Sequence, residues 1–147
     1  MQYGQACRSL GFEPSFVEVA VSNEIDAAIA SLARQQVQIV ILRGDTFVLD
    51  NRLEIKTSTL RYRLPIMAEQ SDLTREGFAL ISYTTTPAEQ IDRVASFVDR
   101  ILRGAKPGDL PVEQPTRFEL VVNLKVAKAM GIEVPKSLLL RADEVIQ

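Results

Sequence analysis

The chain has 147 residues, 46% hydrophobic and 24% charged, with a formal net charge of -2 and a pI near 5.2. That is enough sequence for one domain with a real core, and it is too close to neutral to offer the basic surface that nucleic acid needs. There is no histidine, and Cys7 is the single cysteine, which excludes the commonest general base, the commonest metal ligand, an internal disulfide and a Cys-His nucleophile.

In chain order, Tyr3 to Leu10 reads as the end of a helix stopped by Gly11. The N-terminal words "MQYGQACRSLGFEP" show neither the basic region nor the continuous apolar core of a signal peptide. Phe12 to Val21 reads as the first strand, with Val17, Val19 and Val21 on its apolar face and Phe16–Ala20 entering the sheet. Asn23 is placed to cap a helix whose buried stripe is Ile25, Ala28, Ile29, Leu32 and Ala33. Val37 to Leu42, "VQIVIL", is β-branched and almost continuous, as a central parallel strand covered on both faces would be. It is also far too short to span a membrane, and no membrane insertion is expected.

Arg43 to Phe47 follows as a loop, and Asp50 to Tyr62 as a helix, since a parallel crossover is needed there. Pro65–Ala68 reads as a short strand, Glu69 to Gly77 as a polar loop with room for one helical turn, and Phe78 to Tyr83 as the next strand. Thr86-Pro87-Ala88-Glu89 fits a capping box with proline at the first helical position. Ile91, Val94, Ala95, Val98, Ile101 and Leu102 then recur at helical spacing until Gly104. Lys106 to Pro115 is a proline-rich surface connection. Phe118 to Val122 is the last expected strand, Asn123 caps a helix ended by Gly131, and Pro135 opens a final helix over Lys136 to Ile146.

Strands alternating with helices predict a single α/β domain over residues 1–147, with a mostly parallel sheet and helices on both faces. In such sheets ligands bind beyond the C-terminal strand ends, here the loops Arg43–Phe47, Ala68–Asp72 and Tyr83–Thr86. Phe47 and Tyr83 offer flat faces for a planar ligand, and Asp45 or Glu69 an acid for an ammonium group. Thr46 lies beside them, and Thr84, Thr85 and the free N–H groups that begin helix 87–103 can take a carboxylate. Each has a structural alternative: Asp45 as a turn residue, Phe47 as packing, Thr86 and Asn123 as caps, Lys125 and Lys128 as a solvated face. There is no G-x-G-x-x-G, Walker A, H-E-x-x-H or G-x-S-x-G, and no paired carboxylates for acid/base work. A receiver-like phosphoacceptor reading of Asp45 lacks the acidic pair that Mg²⁺ would need after the first strand.

The words "DRILRGAKPGDLPVEQPTRFELVVNLKVAKAMG" and "P-x-SLLLRADEVI" closely resemble the C-terminal signature of the ABC-transporter substrate-binding proteins of the tryptophan/tyrosine type. More loosely, the resemblance reaches back to about Glu13, and it matches only the second half of such a protein. It implies a partial type I periplasmic-binding (Rossmann-like) lobe that binds a small aromatic or amino-acid-like solute, without catalysis or cofactor. It further implies delivery to an ABC permease and an extracytoplasmic location. Asp45-Thr46 stands where the family commonly has Asp-Pro, and Ser82-Tyr83-Thr84 where it has Ser-Tyr-Gly. With a first lobe absent, the apolar stripe of helix 87–103 predicts a homodimer. Two alternatives from other classes are a truncated self-associating module with no transport role, and a cytoplasmic regulatory ligand-binding domain.

Overall fold

The computed structural model describes residues 2–147, leaving Met1 outside the described residues. Its chain divides into two compact units, Met1–Ile66 and Met67–Gln147.

In the first unit, α1 (Gln2–Ser9) stops where Gly11 takes φ +82, a left-handed turn that closes with Phe12 N–H donating to the Cys7 carbonyl at 3.0 Å. The expected strand Phe16–Ala20 does not form. Pro14 has no N–H to give a ladder, and the segment bonds to side chains instead: Ala20 N–H to Glu24, and the Ser15 hydroxyl to Gln35. Asn23 is not a cap either; it sits inside a short 3-10 turn, Ser22–Glu24. Helix α2 (Ile25–Arg34) buries Ile25, Ile29 and Leu32, three members of the expected stripe.

Strand β1 (Val40–Leu42) is shorter than the apolar run that suggested it. It begins with Val40 N–H donating to the Pro65 carbonyl at 2.8 Å. In the strand order β1-β2-β3-β4-β5 it stands at the end, not at the centre as its sequence predicted. With Phe16–Ala20 outside the sheet no strand flanks it on that side, and Ile41 stays 59% exposed. The expected helix over Asp50–Tyr62 forms as α4 (Arg52–Arg61), and an unexpected short helix, α3 (Thr46–Asp50), precedes it. They divide at Asn51, whose side-chain amide donates back to the Phe47 carbonyl at 2.8 Å. Helix α4 packs on α2, and Asp26 of α2 accepts from Ser58, Arg61 and Tyr62 at 2.7, 2.9 and 3.2 Å. The Ser58 hydroxyl first, then Tyr62 and Arg61, hold the Asp26 carboxyl below its usual pKa.

Strand β2 (Ile66–Ala68) leads into the second unit. It pairs parallel with β3 (Ile81–Thr85), with Ala68 opposite Ser82. Strand β3 pairs antiparallel with β4 (Phe118–Asn123), and β4 pairs parallel with β5 (Glu144–Ile146). The α/β class and mostly parallel sheet are therefore as read from the sequence. The final helix is not: α8 covers only Lys136–Leu139. Asp143 ends it by stitching the chain to β4, with its amide donating to the Leu120 carbonyl and its carboxylate accepting from Leu120 N–H at 2.9 and 2.7 Å.

Helix α5 (Ser71–Arg75), the one turn allowed for in the polar loop, packs on β3 and β4. Its Arg75 reaches Asp72, Glu119 and Glu144 at 3.1, 3.1 and 2.8 Å, binding α5 to both C-terminal strands. Those carboxylates, Glu144 above all, push the guanidinium pKa up further. Helix α7 (Leu124–Met130) ends at Gly131 in a left-handed conformation, φ 69. It contributes Val126, Ala127 and Met130 to a core shared with Leu80 and ringed by Ile81, Leu124, Ile132 and Val134. Helix α6 (Pro87–Leu102) has 16 residues, none of which is buried among those described.

Candidate ligand-binding site

The seven residues singled out from the sequence fall in both units. In the first, Asp45 is the N-cap of α3, accepting from Val48 N–H at 2.9 Å, so the expected loop ends at Asp45 and Thr46 and Phe47 already belong to the helix. Thr46 is exposed and Phe47 half-buried. One Asp45 oxygen thus has a structural task, as its turn-residue alternative anticipated.

In the second unit, Glu69 is exposed immediately after β2, and Tyr83, Thr84 and Thr85 form the C-terminal half of β3. Tyr83 is 54% exposed, and its ring stacks on Phe118 of β4 with centroids 5.3 Å apart and planes 19° apart. Thr84 and Thr85 are half-buried, and the Thr85 hydroxyl accepts from the side-chain amide of Gln90. Phe118 and Gln90 were missed by sequence reasoning. Gln90 carried a usable signal, since it lies in the first turn of a helix that begins beside Thr85. Phe118 carried none on its own, because its place next to Tyr83 depends on the strand register.

The capping box is half realised. The Thr86 hydroxyl accepts from Glu89 N–H at 3.3 Å, yet the Glu89 carboxylate does not complete the box. It accepts instead from Thr116 N–H, Arg117 N–H and the Thr116 hydroxyl at 3.0, 2.9 and 3.1 Å, and pairs with Arg93 at 2.8 Å. These donors, the Thr116 amide foremost and Arg93 next, hold its pKa down at about 2. Arg93 and Arg100 also reach Glu113, at 3.4 and 3.8 Å, so the proline-rich connection is stapled along α6.

A shallow open depression on the first unit is lined by Asp26, Leu53, Glu54, Thr57, Ser58 and Arg61. None of the seven candidate residues lines it, and its principal acid already has three donors. Among the described residues no group of three or more acidic or Cys side chains is placed to hold a metal ion, and no helix is long and apolar enough to cross a membrane.

Residues 10–146 match the family model for ABC transporter substrate binding proteins. The chain belongs to the ABC transporter substrate-binding protein family. Its fold is similar to that of a conserved domain protein from Vibrio cholerae O1 biovar El Tor, at TM-score 0.84 and 20% identity over 98% of this chain. It is also similar to an ABC domain from Streptococcus pneumoniae solved in complex with L-Trp, at TM-score 0.83 and 23% identity over 99% of this chain. A third similar structure is the ligand-free, open form of a substrate-binding protein with adhesive properties from Clostridium difficile, at TM-score 0.72 and 21% identity over 99% of this chain. The match covers 48% of each of these three chains, so this family member spans about half their length. No curated protein matches the sequence.

Proposed function

We propose that this chain binds a small aromatic or amino-acid-like solute, without chemical conversion, as part of an ABC import system outside the cytoplasm. The observation that carries this reading is the substrate-binding family match over residues 10–146. The similar fold of the Streptococcus pneumoniae domain in complex with L-Trp supports the solute class. On this reading the candidate contact residues are Asp45, Thr46 and Phe47 in the first unit and, taken by themselves, Glu69, Tyr83, Thr84 and Thr85 in the second, and the solute is passed to an ABC permease. The exposed ring of Tyr83 and the hydroxyls of Thr84 and Thr85 suit a flat molecule with a polar end. The test is calorimetry with aromatic amino acids on the wild-type chain, Phe47→Ala and Tyr83→Ala. A dissociation constant on the order of millimolar is expected for the wild type, since a site with little enclosure buries little ligand surface. Unchanged affinity in both variants would remove these residues from the site.

A second property, self-association, is favoured by α6. Ile91, Val94, Val98 and Ile101 follow the 3-4-3 spacing of a coiled-coil seam, flanked by Ala95 and Leu102. Ile91 is 67% exposed and Leu102 81%. Most charges on the rest of the helix are matched within the chain, Glu89 with Arg93, Asp99 with Arg103, and Arg93 and Arg100 with Glu113. The surface that covers the stripe is apolar, which a second copy of the same stripe provides. Light scattering should give twice the chain mass of 16.3 kDa. A monomer mass at micromolar concentration would reject the homodimer.

A further inference from the structure

We infer that Phe118 is a ligand-contacting residue, and that with Tyr83 it forms an aromatic platform for the planar ring of the solute. This rests on the solute-binding reading above and adds a residue and a recognition mode to it. The platform lies wholly within the second unit. In the antiparallel ladder Thr85 pairs with Phe118 and Tyr83 with Leu120, so these four side chains share one face of the β3–β4 ribbon. The opposite face is packed: Ser82 and Val121, directly paired, are both fully buried. On the shared face the inner end is packed, with Val122 fully buried opposite Ile81, while the outer end is open and holds two stacked rings, Tyr83 and Phe118, the latter 47% exposed.

Phenylalanine has no polar tip with which to meet water, so a half-exposed Phe at a strand start is explained by its ring and not by solvation. A ring stacked on one face keeps its other face for a third ring, and a planar ligand extends the stack. The polar group that would orient such a ligand is adjacent: the Thr85 hydroxyl lies across the ladder from Phe118, held by the Gln90 amide. The ligand class is thus a planar aromatic ring with a polar substituent, such as an indole or a phenol.

The chain contains no tryptophan, so the indole emission of added L-tryptophan reports bound ligand without a protein background. Titrations would use the wild-type chain, Phe118→Leu, which keeps apolar bulk, and Phe118→Tyr, which keeps the ring. L-leucine, followed by calorimetry, is the non-aromatic control. Phe118→Leu should weaken L-tryptophan binding about tenfold, the loss of one well-placed stacking contact, while Phe118→Tyr restores it. Circular dichroism establishes that both variants are folded. Equal L-tryptophan affinity in wild type and Phe118→Leu overturns the platform and leaves solute binding standing. So does binding of L-leucine without L-tryptophan. Failure of the wild type to bind either overturns the platform and the solute-binding reading together.

Discussion

Helices α6 and α7 start in the same way. Each directly follows a strand, and each is capped by its own preceding side chain: Thr86 for α6 and Asn123 for α7. Each carries an apolar stripe. Yet α7, with seven residues, buries Val126, Ala127 and Met130, whereas α6, with 16, buries none of those described. Caps and periodicity specify that a helix forms and which face is apolar. They do not specify what covers that face. In α7 the cover is local, since Gly131 turns the chain back and Ile132 and Val134 pack beside Leu80. The stripe of α6 has no such return, because the connection that follows runs along the charged side of the helix through Glu89, Arg93 and Glu113.

The largest expected effect that would sharpen this contrast is at Asn123, which is 1% exposed. Its carbonyl oxygen accepts from Lys125 and Val126 N–H at 3.0 and 3.2 Å, and its amide donates to the Thr74 carbonyl at 2.8 Å. Asn123→Ala removes a cap and leaves a buried carbonyl without its donor, for a loss of about 3 kcal/mol in urea denaturation. Thr86→Ala removes only a cap from a helix with no buried face, and should cost about 1 kcal/mol. Equal losses at the two sites would show that α6 is as deeply integrated as α7.

Acid should separate the same two regions. The folded-state pKa of Glu89 is about 2, below its ordinary value of 4.5, so the contact it makes with residues 116–117 is fully present above pH 4.5 and fades as pH falls toward 2. Hydrogen exchange across that range should show Thr116 and Arg117 amides losing protection before those of α7. Simultaneous loss would break the distinction. The smallest effect is expected on the exposed stripe itself: Val94→Ser should change the stability of the monomeric chain by less than about 0.5 kcal/mol, measured by dilution to a concentration where association is absent.

Legibility in the sequence followed how local each signal was. "FELVVNLKVAKAMG" announced its strand, its Asn cap and its glycine stop, and all three stand as read, because each depends on residues within a few positions. The segment Phe16–Ala20 and the tail Glu144–Ile146 were misread in opposite directions. A strand exists only where another edge accepts it: the first segment found side-chain partners, and the tail found β4. Val40–Leu42 looked central for the same reason, since an apolar run records composition and not strand order. Of the candidate site, Tyr83 and Thr85 could be placed at a strand end from the sequence. Phe118 could not, since its stacking on Tyr83 is set by the register of two strands separated by the whole of α6 and its return.

The central claim, that this family member takes its solute at the chosen strand ends, is tested most directly by mapping L-tryptophan onto the backbone amides of the isotope-labelled chain by NMR titration. The account predicts saturable shifts at residues 83–85 and at Phe118, with the amides around Asp26, Thr57 and Arg61 unmoved. Shifts confined to that depression, or no saturable shift anywhere in the chain, would contradict it.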